Sequence, residues 1–263
     1  MKAKICVLLA GVFLVCFFSQ VMLAQAQEQK PQLWFVEDMV VKPSKINDFE
    51  ALVKDFNEVM KKYGWPYPMN TYSSDDFHYY LFYAVDSLSD TQKALEIFGD
   101  IGMKMGETDF QALLKRQADA IEYYKQYFLR SVPELSFIPK KPRLKPEERN
   151  VFIWDIWYFL PGTEKEVEEL GKQSLELLKS KNYNDEMYYY AGDIGTEIPV
   201  YYGVLLAKDF ADLYAQNKKM WELMGDEGGK FFDKMMPLVR KREGKSGWYR
   251  PELSFTPEKK AAK

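Results

Sequence analysis

The chain has 263 residues, 47% hydrophobic and 16% aromatic, with a formal net charge of −3. That mild acidity argues against a nucleic-acid partner and against broad attraction to anionic lipid. Two cysteines, Cys6 and Cys16, and one histidine, His78, leave too few ligands for a zinc centre of the usual Cys/His kind.

Residues 1–26 read as a secretory signal. Lys2 and Lys4 form a basic start, Ile5 to Phe18 is apolar, and Ala24-Gln25-Ala26 is a cleavage signal before Gln27. The apolar run falls short of the ~20 residues a membrane-crossing helix needs. The expected location is therefore periplasmic or extracellular, with no membrane attachment after cleavage. Both cysteines leave with the signal, so the mature chain relies on its core and not on disulfides.

Leu33 to Val41 is apolar and β-branched enough for a strand. A helix follows Pro43-Ser44, with Ser44 as N-cap and Ile46, Phe49, Leu52, Val53, Phe56, Met60 and Tyr63 at helical spacing up to Gly64. Met69 to Tyr72, a turn at Ser73 to Asp76, and Phe77 to Val85 read as a hairpin. Asp90 opens a helical region whose later part places Phe110, Leu113, Leu114, Gln117, Ala118, Ile121, Tyr124 and Phe128 on one face. Leu135 to Ile138 then reads as a short closing strand. The second half follows the same order. It has a strand from Val151 to Phe159, a Thr163/Glu166 capping box with a helix behind it, and a hairpin from Met187 to Ala207. Helices run from Phe210 to Val239 with a break at Gly225 to Gly229, and Leu253 to Thr256 closes the unit. Arg240-Lys241-Arg242 reads as a helix C-terminal cap.

The halves share words as well as grammar. Pro133-Glu134-Leu135-Ser136-Phe137 recurs as Pro251-Glu252-Leu253-Ser254-Phe255, and LWFVEDMVVKP from Leu33 aligns with VFIWDIWYFLP from Val151. A domain-sized repeat implies two copies of one β-α-β-β-α-β unit, not a solenoid. The division is 27–138 for the first repeat, 139–150 for a Pro/Lys linker, 151–257 for the second repeat and 258–263 for a tail. Each unit makes a four-stranded sheet with helices on one face. The expected α+β architecture is two tandem ferredoxin-like repeats packed sheet to sheet, with a chamber between them.

The segment Tyr158-Phe159-Leu160-Pro161-Gly162, the hairpins, the helix around Trp221 and the Pro-containing terminal strand resemble the dimeric α+β barrel superfamily. Its NIPSNAP-like and antibiotic-biosynthesis-monooxygenase-like branches are the most similar. The resemblance implies a binding or reaction space enclosed by the sheets.

Glu37 and Asp155 occupy matching strand positions on the faces of Leu33, Phe35, Met39 and Val41 and of Val151, Ile153, Trp157 and Phe159. A carboxylate there must face a polar cavity or find a partner. With Trp157, Tyr80 and Tyr202 they are the candidate ligand-binding set, and Asp38, on the opposite face, tests the pairing. No catalytic residue is assigned and no metal is expected. No cofactor is expected either. Haem on His78 is the exception weighed, although the resemblance implies a histidine on a helix and His78 begins a strand. The first functional reading is an exported small-molecule-binding or accessory protein, with self-association left open. The second is a cofactor-independent oxygenase acting on a small aromatic or partly apolar substrate. The third is an envelope protein whose chamber is filled by its own side chains.

Overall fold

The computed structural model describes residues 30–258, so the signal reading lies outside the described residues. Eight antiparallel strands are joined in one closed sheet. They are β1 (Leu33–Val41), β2 (Met69–Ser74), β3 (His78–Val85), β4 (Ile121–Ser131), β5 (Val151–Phe159), β6 (Tyr188–Gly192), β7 (Val200–Ala207) and β8 (Val239–Tyr249). Around the barrel the order is β1-β3-β2-β8-β5-β7-β6-β4, closing on β1. Helices α1 (Ile46–Tyr63), α2 (Leu88–Met105) and α3 (Glu107–Ala120) belong to the first half. Helices α4 (Glu164–Ser180) and α5 (Phe210–Met235) belong to the second, and α5 is interrupted by non-helical backbone at Gly225, as its sequence predicts. No helix of the described residues is long and apolar enough to cross a membrane.

The expectation of two sheets packed face to face is corrected. The halves join edge to edge. β2 meets β8 through Tyr72↔Tyr249, Ser73↔Trp248 and Ser74↔Gly247, and β4 meets β6 through Leu129↔Gly192, Arg130↔Ala191 and Ser131↔Tyr190. Edge pairing satisfies backbone N–H and C=O groups that two separate sheets would leave open, and curling the sheet on itself buries the bare faces at the same time. The first seam depends on a side chain being absent. A Cβ on Gly247 would run into the Ser73 carbonyl oxygen. Gly247→Ala is expected to lower stability by about 1–3 kcal/mol through overpacking, read as a fall in the chemical-denaturation midpoint.

The helical reading of Ile121 to Phe128 is also corrected, as is that of Val239 and the Arg240 cap. These segments are β4 and β8. Apolar residues at 121, 124 and 128 fit a helical stripe, but the same aromatic-rich run fits a strand. Here β4 pairs with β1 from Val41↔Ile121 to Leu33↔Arg130, and β8 pairs with β5 in the same way. Neighbours far away in sequence settle such ambiguous runs. The segments expected to close each unit are reduced to the bridges Phe137↔Met187 and Met69↔Phe255. Ser44 and Thr163 do not cap through their side chains; the Thr163 hydroxyl instead donates to the Leu160 carbonyl at 2.7 Å. The Pro/Lys connection is not a free tether. Leu144 is buried, and Arg143 forms ion pairs with Asp185 and Asp212, both at 3.0 Å.

Strand alternation sends Val36, Phe152, Trp154, Ile156 and Tyr158 into the barrel, where they pack with Tyr80, Tyr127, Leu129 and Tyr202. Asp38 is also buried, and its Oδ1 lies 2.6 Å from Nδ1 of His78. The opposite faces of β1 and β5 lie under the helices.

Candidate functional site

A cavity of about 600 Å³ lies between the outer face of the first half's strands and helices α1, α2 and α3. That volume lies in the range of small-molecule sites. Its walls are mainly apolar: Phe35 and Leu81 rise from the sheet, Phe49 and Phe56 come from α1, and Phe98 comes from α2. The amphipathic spacing of α1 builds one wall, and strand alternation builds the floor.

Glu37 is the carboxylate on that floor. Gln126 on β4 donates Nε2–H to its Oε1 at 2.9 Å, and the Tyr83 hydroxyl of β3 lies 3.4 Å from its Oε2. Tyr83 also contacts the Met69 sulfur at 3.1 Å. Burial raises the Glu37 carboxyl above its ordinary range, and the hydrogen bonds from Gln126 and Tyr83 draw it part of the way back. Burial, followed by the charge of Glu37, raises the Tyr83 phenol well above its usual value. The site thus holds a carboxyl tuned towards stronger basicity next to a phenol that stays protonated as a donor.

The rim is shared between the halves. Leu95, Tyr124 and Ile194 line the cavity although each is more than half exposed. Ile194 comes from the β6–β7 loop of the second half. Phe128 N–H donates to the Ile194 carbonyl at 2.9 Å, Asp193 N–H donates to the Phe128 carbonyl at 2.9 Å, and Arg130 pairs with Asp193 at 2.8 Å. Gly195 has φ +90°, and a Cβ there would stand 2.6 Å from the Gln126 carbonyl oxygen. Gly195→Ala is therefore expected to lift the loop and disturb the Gln126–Glu37 contact. The affinity of a ligand bound in the cavity should weaken by about tenfold while secondary structure by circular dichroism is kept.

The five candidate residues are not brought into one chamber. Glu37 lines the cavity. Asp155 lies on the outer face of the second half, where Arg242 grips both its oxygens at 2.7 and 2.8 Å. The same guanidinium sits 4.3 Å from the Trp157 ring centroid, and Trp157 packs on Phe232. Tyr80 and Tyr202 are inside the barrel on either side of Trp154, with centroids 4.6 and 6.2 Å from it. The pairing of Glu37 with Asp155 across a shared space fails because Asp38 is the inward residue, as its position on the opposite face allowed.

His78 does not line the cavity. Its ring stacks on Tyr80 at 5.6 Å, Asp38 holds Nδ1, and Nε2 is 3.8 Å from Asp76. The cavity walls contain neither histidine nor cysteine, so the usual nitrogen and thiolate donors of a haem iron are missing there, and the residues present do not fit that group. Among the described residues no group of three or more His, Cys, Asp or Glu is placed to hold a metal ion.

Gln126 and Ile194 were not legible as site residues. Gln126 lay in a run read as helix. On a strand it falls directly opposite Glu37, and that register is the signal that identifies it. Trp65 is 7% exposed and packs with Met60 and Met69 in the first-half core.

No family model matches the chain, and no curated protein matches it. Solved structures do. A putative monooxygenase from Lactobacillus acidophilus NCFM is 7% identical, with a TM-score of 0.52 over 87% of this chain and 97% of its own. An anthrone oxidase-like protein is 10% identical, with a TM-score of 0.58 over 85% and 92%. A putative monooxygenase from Fusobacterium nucleatum subsp. nucleatum ATCC 25586 is 11% identical, with a TM-score of 0.53 over 84% and 93%. A putative chlorite dismutase is 10% identical, with a TM-score of 0.50 over 84% and 96%. These similar structures carry enzyme names, which overturns the ranking of a non-catalytic binding role above catalysis. At such identities the likeness establishes the fold, and the chain has the ferredoxin-like α+β fold of monooxygenase-like and chlorite dismutase-like proteins.

Proposed function

We propose that the chain is an oxygenase-like enzyme acting on a small, flat, partly apolar substrate bound in the first-half cavity, with Glu37 as the proton-transfer group. The observation that carries this reading is a single carboxyl, raised by burial, on the floor of an apolar cavity and held by Gln126 and Tyr83. The names of the similar structures support the reaction class.

The reaction we infer is oxidation of an activated ring methylene to a ketone by dioxygen. Glu37 takes a proton from the methylene carbon, and the aromatic system spreads the charge that develops. Tyr83 donates a hydrogen bond towards that charge. The carbanion gives its electrons to dioxygen, and a carbon–oxygen bond forms. Loss of the second hydrogen as a proton breaks the oxygen–oxygen bond. One oxygen stays as the ketone and the other leaves as water, carrying both protons. The apolar walls exclude bulk water from the intermediate.

The test is oxygen uptake by the purified chain with a hydroxylated anthrone as probe, together with mass analysis under isotopically labelled dioxygen. The expected product carries one labelled oxygen. A rate no greater than that of the buffer would count against the reading. The repeated Pro-Glu-Leu-Ser-Phe segments and the matching strand orders β4-β1-β3-β2 and β8-β5-β7-β6 support descent from a duplicated unit of the monooxygenase-like or NIPSNAP-like type. The 1–26 segment supports an exported enzyme, which cell fractionation would test.

A further inference from the structure

We propose that the barrel interior opens at one end into a polar pit that binds a small primary ammonium ion, held by Asp38 and the hydroxyls of Tyr127 and Tyr202. The pit lies on the opposite side of the sheet from the Glu37 cavity and does not depend on the oxidation proposed there.

The two ends of the interior differ in chemistry. At one end the inward rings pack on each other, with Trp34 edge-on to Phe82 at 6.2 Å and Tyr72 edge-on to Phe152 at 5.6 Å. At the other end polar groups gather. Asp38 comes late in β1 and pairs with Tyr80 early in β3, while Tyr158 comes late in β5 and Tyr202 early in β7. Every step around the sheet is antiparallel, so β1 and β5 run the same way and their ends share one mouth. Tyr127 of β4 joins them, opposite Val36 on the inward face.

Asp38 is 8% exposed, and one of its oxygens is engaged by the His78 ring at 2.6 Å. Its other oxygen has no hydrogen-bond partner among the described residues. The lysines of this end are committed elsewhere. Lys241 pairs with Glu243 at 2.9 Å, Lys245 pairs with Asp76, and Lys125, opposite Asp38 on β4, lies over the Tyr123 ring at 5.7 Å. A buried carboxylate without a full countercharge is costly, so this position favours a cation.

Tyr127 and Tyr202 supply the other contacts. Each is 7% exposed, and neither hydroxyl has a hydrogen-bond partner among the described residues, yet neither is sealed from solvent. Burial raises the phenols of Tyr80 and Tyr202, and the Asp38 charge raises both further. Burial also raises Tyr127, with the Tyr202 phenol and Asp38 adding to it. One carboxylate thus acts on three phenols, which places their hydroxyls around it in a negative field. An alkylammonium head has three N–H donors for the free Asp38 oxygen and the phenol oxygens, and the rings favour a cation over a neutral group. A divalent metal ion would need a denser set of carboxylates than the described residues supply.

The test is calorimetric titration of the full chain with propylammonium chloride at constant ionic strength, compared with 1-propanol and tetramethylammonium chloride. Propylammonium is expected to saturate a single site. Tetramethylammonium, which has no N–H donor, should bind about tenfold more weakly, and 1-propanol more weakly still. Tyr202→Phe removes a hydroxyl that no side chain uses. It should leave the melting temperature near that of wild type while weakening propylammonium about threefold or more. Asp38→Asn keeps an acceptor for His78 but loses the charge, and should weaken binding by at least about tenfold. Absence of saturable propylammonium binding to wild type would overturn the proposal, and so would equal affinity for 1-propanol or tetramethylammonium. Unchanged affinity in Tyr202→Phe would place the binding elsewhere and overturn it as well, whether or not Asp38→Asn folds.

Discussion

Glu37→Gln is expected to reduce turnover of the anthrone probe by about 10²- to 10⁴-fold, the usual contribution of a positioned general base. Glutamine keeps the size of the side chain and can still meet Gln126 and Tyr83, but it cannot hold the transferred proton. The pH profile makes the test specific. Only the carboxylate can take the proton, so kcat/KM should rise with pH through a limb placed above ordinary carboxylate values, because burial raises this group. The limb should vanish in the variant. Stability moves in the opposite direction. Between the unfolded carboxyl's pKa and the raised folded value, the native state binds more protons than the unfolded one, so stability falls as pH rises through that window. Glu37→Gln removes this fall. Thermal melts in a series of buffers from pH about 4 to about 8 should show wild type losing ground to the variant as pH rises. A variant that kept full turnover and the acid limb would assign the base elsewhere.

Trp154→Ala is expected to cost about 3–5 kcal/mol, the largest stability effect foreseen for a single side chain here. Trp154 is 5% exposed at the centre of the barrel. It touches Phe152 at 5.0 Å, Phe82 at 5.7 Å, Tyr80 at 4.6 Å and Tyr202 at 6.2 Å, and so joins strands of both halves. Removing it leaves a cavity that rings held by a closed sheet cannot collapse to fill. Urea denaturation should show a lower midpoint in a single cooperative transition, because the interior is shared. Two separated transitions would show instead that the halves are held by their seams alone. Probe affinity of the folded variant should stay close to wild type, since Trp154 faces the interior and the proposed site faces the helices.

How much of this was legible in the chain can be followed through particular residues. Alternation grouped Leu33, Phe35, Glu37, Met39 and Val41 on one face, and that grouping holds. Helical spacing located α1 from Ile46 to Tyr63, and the turn residues from Ser73 to Asp76 marked the first hairpin. These signals are local: they repeat every two or 3.6 residues and need no knowledge of distant neighbours. The same locality explains the failures. Ile121 to Phe128 satisfies a helical stripe, and only its pairing with β1 makes it a strand that brings Gln126 to Glu37. Asp155 matches Glu37 in position, yet Arg242 of β8 grips one carboxylate while the other is left on the floor of a cavity.

The sequence by itself determined the two-part grammar, the faces of β1 and β5 and the presence of a carboxylate in an apolar setting. Tertiary structure alone decided which face became the inside of the barrel, that Asp38 and not Glu37 points there, and that Ile194 of one half borders the cavity of the other. The physical reason is that a strand's two faces are defined by its own backbone pleat. Which of them is enclosed depends on how edges far apart in the chain find hydrogen-bond partners and close the sheet.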